Sequence, residues 1–120
     1  MTIVSRANPA QPEPGARLCA LEEVADPGSK GFRFREGDKL FAGFVIRMGE
    51  TVTGFVDSCP HAGWPLTMGD NYLTRTGNRI LCAGHGALFD LEGRCVTGPC
   101  VGDRLKAWPL TVENGQIVTA

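Results

Sequence analysis

Two short segments of the chain each combine one cysteine with one histidine. Cys59 and His61 are separated by one residue, and Cys82 and His85 by two. These are the only two histidines in the chain. Thiolates are soft anionic ligands and neutral imidazoles are borderline ones, so a mixed set suits an iron–sulfur cluster or zinc. The pattern therefore indicates a metal centre built from these four side chains.

Three kinds of site could use this pattern. Structural Cys₂His₂ zinc sites normally pair Cys with Cys and His with His, and a helix carries the histidines. Here each half is mixed and the sequence shows no helix. A Cys–His nucleophilic pair would use one half and leave the other unexplained. A two-iron cluster uses all four groups, with the two thiolates on one iron and the two imidazoles on the other. The cluster is therefore favoured, and a zinc-binding interaction module remains the weaker alternative.

The composition narrows the class of protein. A chain of 120 residues with a net charge of −1 is one domain without the charge surplus of a nucleic-acid or membrane-surface binder. No apolar segment is long enough to span a bilayer, and the N-terminus lacks the apolar region of a secretory signal. Five cysteines without an export signal predict reduced thiols rather than a disulfide framework. These features predict a cytoplasmic protein.

Local patterns predict an all-β domain. Sixteen glycines and eight prolines favour turns and short strands. Residues 1–15 contain three prolines and few large apolar groups, so we expect a flexible tail followed by a single domain over 16–120. Alternating or apolar runs predict strands at 32–35, 40–47, 52–56, 79–81, 87–90, 110–112 and 116–118. Asn114-Gly115 is a strong hairpin signal, and the polar segment 67–79 reads as a surface excursion.

The C-x-H and C-x-x-H pairs in this glycine-rich frame resemble the Rieske [2Fe–2S] family. The resemblance runs from about residue 18 to 118 and is strongest at 59–66, at 82–90 and at Gly98-Pro99. It implies small antiparallel sheets in a sandwich-like or barrel-like frame, with cluster loops at about 57–68 and 80–90 forming a tip. It also implies that the two cysteines hold an inner iron and the two histidines an outer one. Gly98-Pro99 would be a third loop over the tip, with a plain turn as the alternative.

Several positions distinguish this chain from the high-potential members of that family. Those members carry an extra cysteine in each loop, whereas this chain has Trp64 in the first loop and Ala83 and Gly84 in the second. They also donate serine and tyrosine hydroxyls to sulfur, where this chain has Ala87 and Phe89. Fewer hydrogen bonds to sulfur lower the reduction potential, so we expect a value of roughly −150 mV.

Both histidines are used as cluster ligands, so none remains for a 2-His-1-carboxylate oxygenase iron. The resemblance then implies a soluble ferredoxin, an electron carrier rather than an enzyme. It would pass single electrons from an NAD(P)H-dependent flavin reductase to a terminal oxygenase, often one that hydroxylates aromatic rings. A docking face containing His61, His85, Trp64 and Pro99 is expected, although Trp64 could equally be a half-buried core residue. The alternative is a Rieske-fold small subunit of a nitrite reductase or of another multicomponent oxidoreductase.

Three cysteines and one tryptophan fall outside the ligand pattern. Cys19 lies in a predicted apolar strand and is expected in the core, as is Trp108. Cys95 and Cys100 flank a turn near the expected tip. We expect free thiols there, with a disulfide or a redox-sensing pair as the less favoured alternative.

Overall fold

The structure is a computed structural model that describes residues 8–60, 65–67, 69–82 and 86–120. His61, Trp64 and His85, on which parts of the site prediction rest, lie outside these residues. In the described parts the chain forms nine strands and one short 3₁₀ turn, Leu21–Glu23. The strands are β1 Arg17–Ala20, β2 Gly28–Glu36, β3 Lys39–Met48, β4 Thr51–Val56, β5 Ile80–Leu81, β6 Leu88–Phe89, β7 Cys95–Thr97, β8 Leu110–Glu113 and β9 Gln116–Thr119.

The strands form three small antiparallel sheets. Their orders are β1-β9-β8, β2-β3-β4 and β5-β6-β7. The predicted hairpin between β8 and β9 is confirmed, and Asn114 and Gly115 adopt positive φ values of 52° and 73°. Two successive residues with positive φ form the turn whose twist matches antiparallel strands. The all-β prediction is confirmed, while β7 and the early start of β2 were not anticipated.

The central strand β3 is buried on both of its faces. Phe44 and Ile46 point to the core shared with the third sheet, and Phe55 of β4 joins them there. Val45 points the opposite way, into the core of the β1-β9-β8 sheet. Side chains alternate along a strand, so a nearly continuous apolar run serves two cores at once. One face of this strand therefore packs in the core that contains Cys59 and Cys82, and the other face packs against the β1-β9-β8 sheet.

Trp108 fills a second aromatic core, as predicted. Its side chain is 1% exposed, and its ring meets Phe41 edge-on at a centroid distance of 5.2 Å. Gly43 provides the space, because a Cβ at that position would lie 2.5 Å from the indole ring. Close approach of a ring to a strand explains glycine in the middle of β3.

Residues 8–15, which belong to the expected N-terminal tail, make contacts with the rest of the domain. The Asn8 side-chain amide donates to the carbonyl of Leu40 at 2.7 Å, and Ala10 is buried. The Gly15 amide donates to the Thr119 carbonyl at 2.7 Å. Composition could not reveal these long-range bonds. Within the described ranges, no helix is long and apolar enough to cross a membrane.

Candidate metal centre

The two predicted cysteine ligands follow strands of two different sheets and meet in one core. Cys59 comes three residues after β4, and Cys82 directly follows β5. Both are buried, at 0% and 1% exposure, in the same apolar cluster. Neither takes part in a disulfide. Buried thiols at the ends of two strands fit the inner ligands of an iron–sulfur cluster, so the described half of the donor set suits such a group.

Backbone hydrogen bonds join the described residues on either side of positions 83–85. The Cys82 amide donates to the Ala87 carbonyl at 2.9 Å, and the Gly86 amide donates to the Cys82 carbonyl at 2.9 Å. Gly86 has a φ of 70°, which favours glycine. The following strand β6 then leads away into the third sheet. These bonds hold Gly86 and Ala87 next to Cys82.

The first ligand segment is closed by a side chain instead. Asp57 lies between β4 and Cys59, and its Oδ1 accepts a hydrogen bond from the Leu66 amide at 2.7 Å. The Asp57 amide donates to the Ala42 carbonyl at 2.9 Å, which ties the start of the segment to β3. Leu66 is fully buried. The carboxylate therefore bridges the two ends of the stretch that contains His61.

Tyr72 reaches the same carboxylate from the polar segment between the two ligand pairs. Its hydroxyl donates to Asp57 Oδ2 at 2.8 Å, and its ring stacks on Phe44 at a centroid distance of 4.1 Å. Burial, then the hydrogen bond to Asp57, raises the pKa of the Tyr72 hydroxyl far above its usual range. Tyr72 therefore remains a protonated donor. The surface-excursion prediction for 67–79 is wrong at this fully buried residue.

Sequence reasoning missed Asp57 and Tyr72 as parts of the site. The available signals were an acidic residue two positions before a ligand, and the only tyrosine of the chain placed in an otherwise polar run. Neither signal states that the two side chains meet. Their contact requires the 69–82 segment to lie beside β2. A hydrogen bond joins the two, in which the Tyr72 amide donates to the Ser29 hydroxyl at 2.9 Å.

Cys95 and Cys100 form a disulfide, with a Cα–Cα distance of 5.8 Å. The prediction of reduced thiols is wrong for this pair, because the turn between them brings the two buried side chains together. Cys19, in contrast, is a buried core residue as expected, and burial followed by the Glu23 charge raises the pKa of its thiol.

The loop closed by the disulfide packs on the second ligand segment. Gly98 has a φ of 103°, and a Cβ there would lie 3.0 Å from the Cα of Ala87. Pro99 beside it is exposed. The expected third loop requires a contact of this kind, and only glycine permits so close an approach.

In a comparison with known protein families, residues 16–109 match the family described as the Rieske [2Fe-2S] domain. The ferredoxin of carbazole 1,9a-dioxygenase from Nocardioides aromaticivorans IC177 is 25% identical, with a TM-score of 0.70 over 90% of this chain and 98% of that one. The Sphingomonas yanoikuyae B1 ferredoxin is 27% identical, with a TM-score of 0.64 over 88% and 96%.

Two further similarities are more limited. The vanillate O-demethylase oxygenase subunit of Pseudomonas sp. (strain ATCC 19151) is 33% identical over 61 residues. Those residues are 51% of this chain and only 17% of the oxygenase subunit. A putative small subunit of an NADPH nitrite reductase is 16% identical with a TM-score of 0.60, which shows a shared fold alone.

Proposed function

Because the chain belongs to the Rieske [2Fe–2S] domain family and its cofactor is a Rieske [2Fe–2S] cluster, we propose that it is a ferredoxin. It passes single electrons from an NAD(P)H-dependent flavin reductase to a terminal oxygenase, one that hydroxylates aromatic rings. The observation that carries the proposal is the similarity to two ferredoxins over 98% and 96% of their lengths. In this role the protein transfers electrons and has no substrate of its own.

The cluster is held by four side chains. Cys59 and Cys82 are the inner ligands, which agrees with their burial in one core. His61 and His85 are the outer ligands and bring the site close to a partner. Two neutral imidazoles in place of two thiolates reduce the negative charge of the site, and the bound group accepts and releases one electron. Replacing Cys59 or His85 by serine should abolish the bound iron, whereas Cys19→Ser should leave the iron content unchanged.

The surroundings of the second ligand segment support a low reduction potential. Ala87 and Phe89 are both fully buried, and neither side chain offers a hydroxyl to a sulfur atom. Without such donors the oxidised state is relatively favoured. We expect a midpoint potential of roughly −150 mV. A redox titration that returned a clearly positive midpoint would contradict this reasoning.

The docking face consists of His61, His85, Trp64 and the exposed Pro99. Trp64→Ala should slow electron transfer from the reductase and to the oxygenase while the iron content stays unchanged. Leu40→Ala is the matched control, because Leu40 is an apolar residue with 54% exposure on the β2–β3 hairpin. Unchanged transfer rates for the Trp64 variant would refute its part in docking.

The functional test is reduction by a defined partner. The purified protein should contain iron and acid-labile sulfide in equal amounts, which separates it from a zinc-binding interaction module. Its visible absorption should bleach when NAD(P)H and a candidate flavin reductase are both present, and reoxidise when a terminal oxygenase and its substrate are added. Reduction without any reoxidation by oxygenases, but with reoxidation by a nitrite reductase, would favour the alternative role as a reductase subunit. The cytoplasmic location stays a prediction.

A further inference from the structure

A carboxylate is completely buried beside the proposed cluster ligand Cys59. Asp57 lies two residues before that cysteine, and its side chain has 0% exposure. Both of its oxygens accept hydrogen bonds, Oδ1 from the Leu66 amide at 2.7 Å and Oδ2 from the Tyr72 hydroxyl at 2.8 Å. Acceptance on both oxygens is the pattern of an ionised carboxylate. Burying such a charge is unfavourable unless it is paired and hydrogen-bonded.

The negative charge of Asp57 is only partly compensated by a positive charge. Among the residues that the structure describes, Asp57 forms an ion pair with Arg33, whose Nη2 lies 3.6 Å from Asp57 Oδ2. The Arg33 side chain is 36% exposed and also donates to the Thr67 carbonyl at 3.2 Å. Solvent screens a half-exposed charge more effectively than a buried one. The partly exposed Arg33 therefore compensates the buried charge of Asp57 only in part.

The segment between the two ligand pairs holds this carboxylate in place. Tyr72 is anchored to β2 by its amide, which donates to the Ser29 hydroxyl at 2.9 Å. Ser29 in turn donates to the Asp70 carbonyl at 2.6 Å, and Asp70 Oδ1 accepts from the Gly31 amide at 2.9 Å. The stretch 69–72 is therefore anchored to β2, and this anchoring fixes the position of the Tyr72 hydroxyl. In consequence, Asp57 has one defined position at the start of the first ligand segment.

We infer that Asp57 is a positioning residue for the first ligand segment and a fixed buried charge that lowers the reduction potential of the cluster. Reduction would add one negative charge to the cluster, and a buried carboxylate two residues before a cluster ligand would oppose that addition. This effect is separate from hydrogen bonds to sulfur, on which the low-potential argument above depends. The inference rests on the proposed ligand role of Cys59.

The first arm of the test compares two variants with the same change of charge. Asp57→Asn keeps the size and an oxygen for the Leu66 amide but removes the charge, so the midpoint potential should rise. Asp38→Asn removes one negative charge in the exposed β2–β3 turn, and its potential should match that of the wild type. Iron content and the visible circular dichroism spectrum show whether each variant carries an intact cluster. Equal potentials for the two variants with intact clusters would overturn the inference.

The second arm covers the case in which Asp57→Asn does not retain its cluster. Arg33→Gln removes the partly screened positive charge and leaves Asp57 uncompensated, so the potential should fall. Asp57→Glu keeps the charge on a longer side chain, and its potential should stay close to the wild-type value. An unchanged or raised potential in Arg33→Gln would overturn the inference. Retention of a native cluster by Cys59→Ser would instead refute the ligand assignment, so the two failures are distinguishable.

Discussion

Replacing Cys95 and Cys100 together by serine should destabilise the protein, because their disulfide constrains the third loop. The sequence separation is 5, so the closed loop has six residues counting both cysteines. The chain-entropy relation gives roughly 7 cal/mol/K for a loop of this size, or about 2 kcal/mol at 25 °C. For a domain of this length that corresponds to a decrease in Tm of roughly 8 °C.

The structure indicates how large this loss of unfolding free energy should be. Both cysteines are buried, at 5% and 1% exposure, so two serine hydroxyls add a cost of desolvation to the lost constraint. The loop keeps backbone bonds of its own, since the Cys95 amide donates to the Asp103 carbonyl at 2.9 Å and the Asp103 amide to the Cys100 carbonyl at 2.8 Å. We therefore expect a loss of about 2–4 kcal/mol and not complete unfolding. A double alanine variant separates the loss of constraint from burial of the hydroxyls.

Two measurements check this prediction. Alkylation of the unfolded, chelator-treated protein should modify the three cysteines outside the disulfide, Cys19, Cys59 and Cys82, and all five only after reduction. Thermal unfolding under anaerobic conditions, followed by far-UV circular dichroism, gives the change in Tm. Five modified cysteines before reduction, in protein purified without reductant, would show that the disulfide is absent. An unchanged Tm in both double variants would show that the loop constraint contributes nothing.

Three further predictions concern the core and the site. Gly43→Ala should lower stability by about 2–3 kcal/mol, since its Cβ would lie 2.5 Å from the rigid, buried Trp108 ring; a chemical-denaturation midpoint equal to that of the wild type would contradict this. Tyr72→Phe should lower the free energy of unfolding by about 2 kcal/mol, because it removes a 2.8 Å hydrogen bond to the buried Asp57 carboxylate. An unchanged Tm would contradict this. The raised pKa of the Cys19 thiol leaves little thiolate at pH 8. Alkylation of Cys19 in the native protein should therefore be at least about tenfold slower than alkylation of an exposed cysteine. Comparable rates would refute the burial of Cys19.

The sequence by itself determined the class of site and much of the fold. Residue type and spacing are local properties of the sequence, and they are sufficient to predict a mixed cysteine and histidine metal site at Cys59, His61, Cys82 and His85. The Asn114-Gly115 hairpin was equally readable, because positive φ at two successive residues is a local preference. Alternation of apolar and charged residues over 32–35 predicted part of β2, and the largely apolar run over 40–47 predicted β3.

The tertiary structure decided how these local features are held. Asp57 and Tyr72 are 15 residues apart, and only the alignment of the 69–82 segment with β2 makes them partners. The disulfide needed the turn around Gly98 to bring Cys95 and Cys100 within 5.8 Å between their Cα atoms, which an odd number of cysteines could not indicate. Long-range contacts of this kind depend on how the sheets pack and not on local preference, so the ligands could be predicted from the sequence while the groups that position them could not.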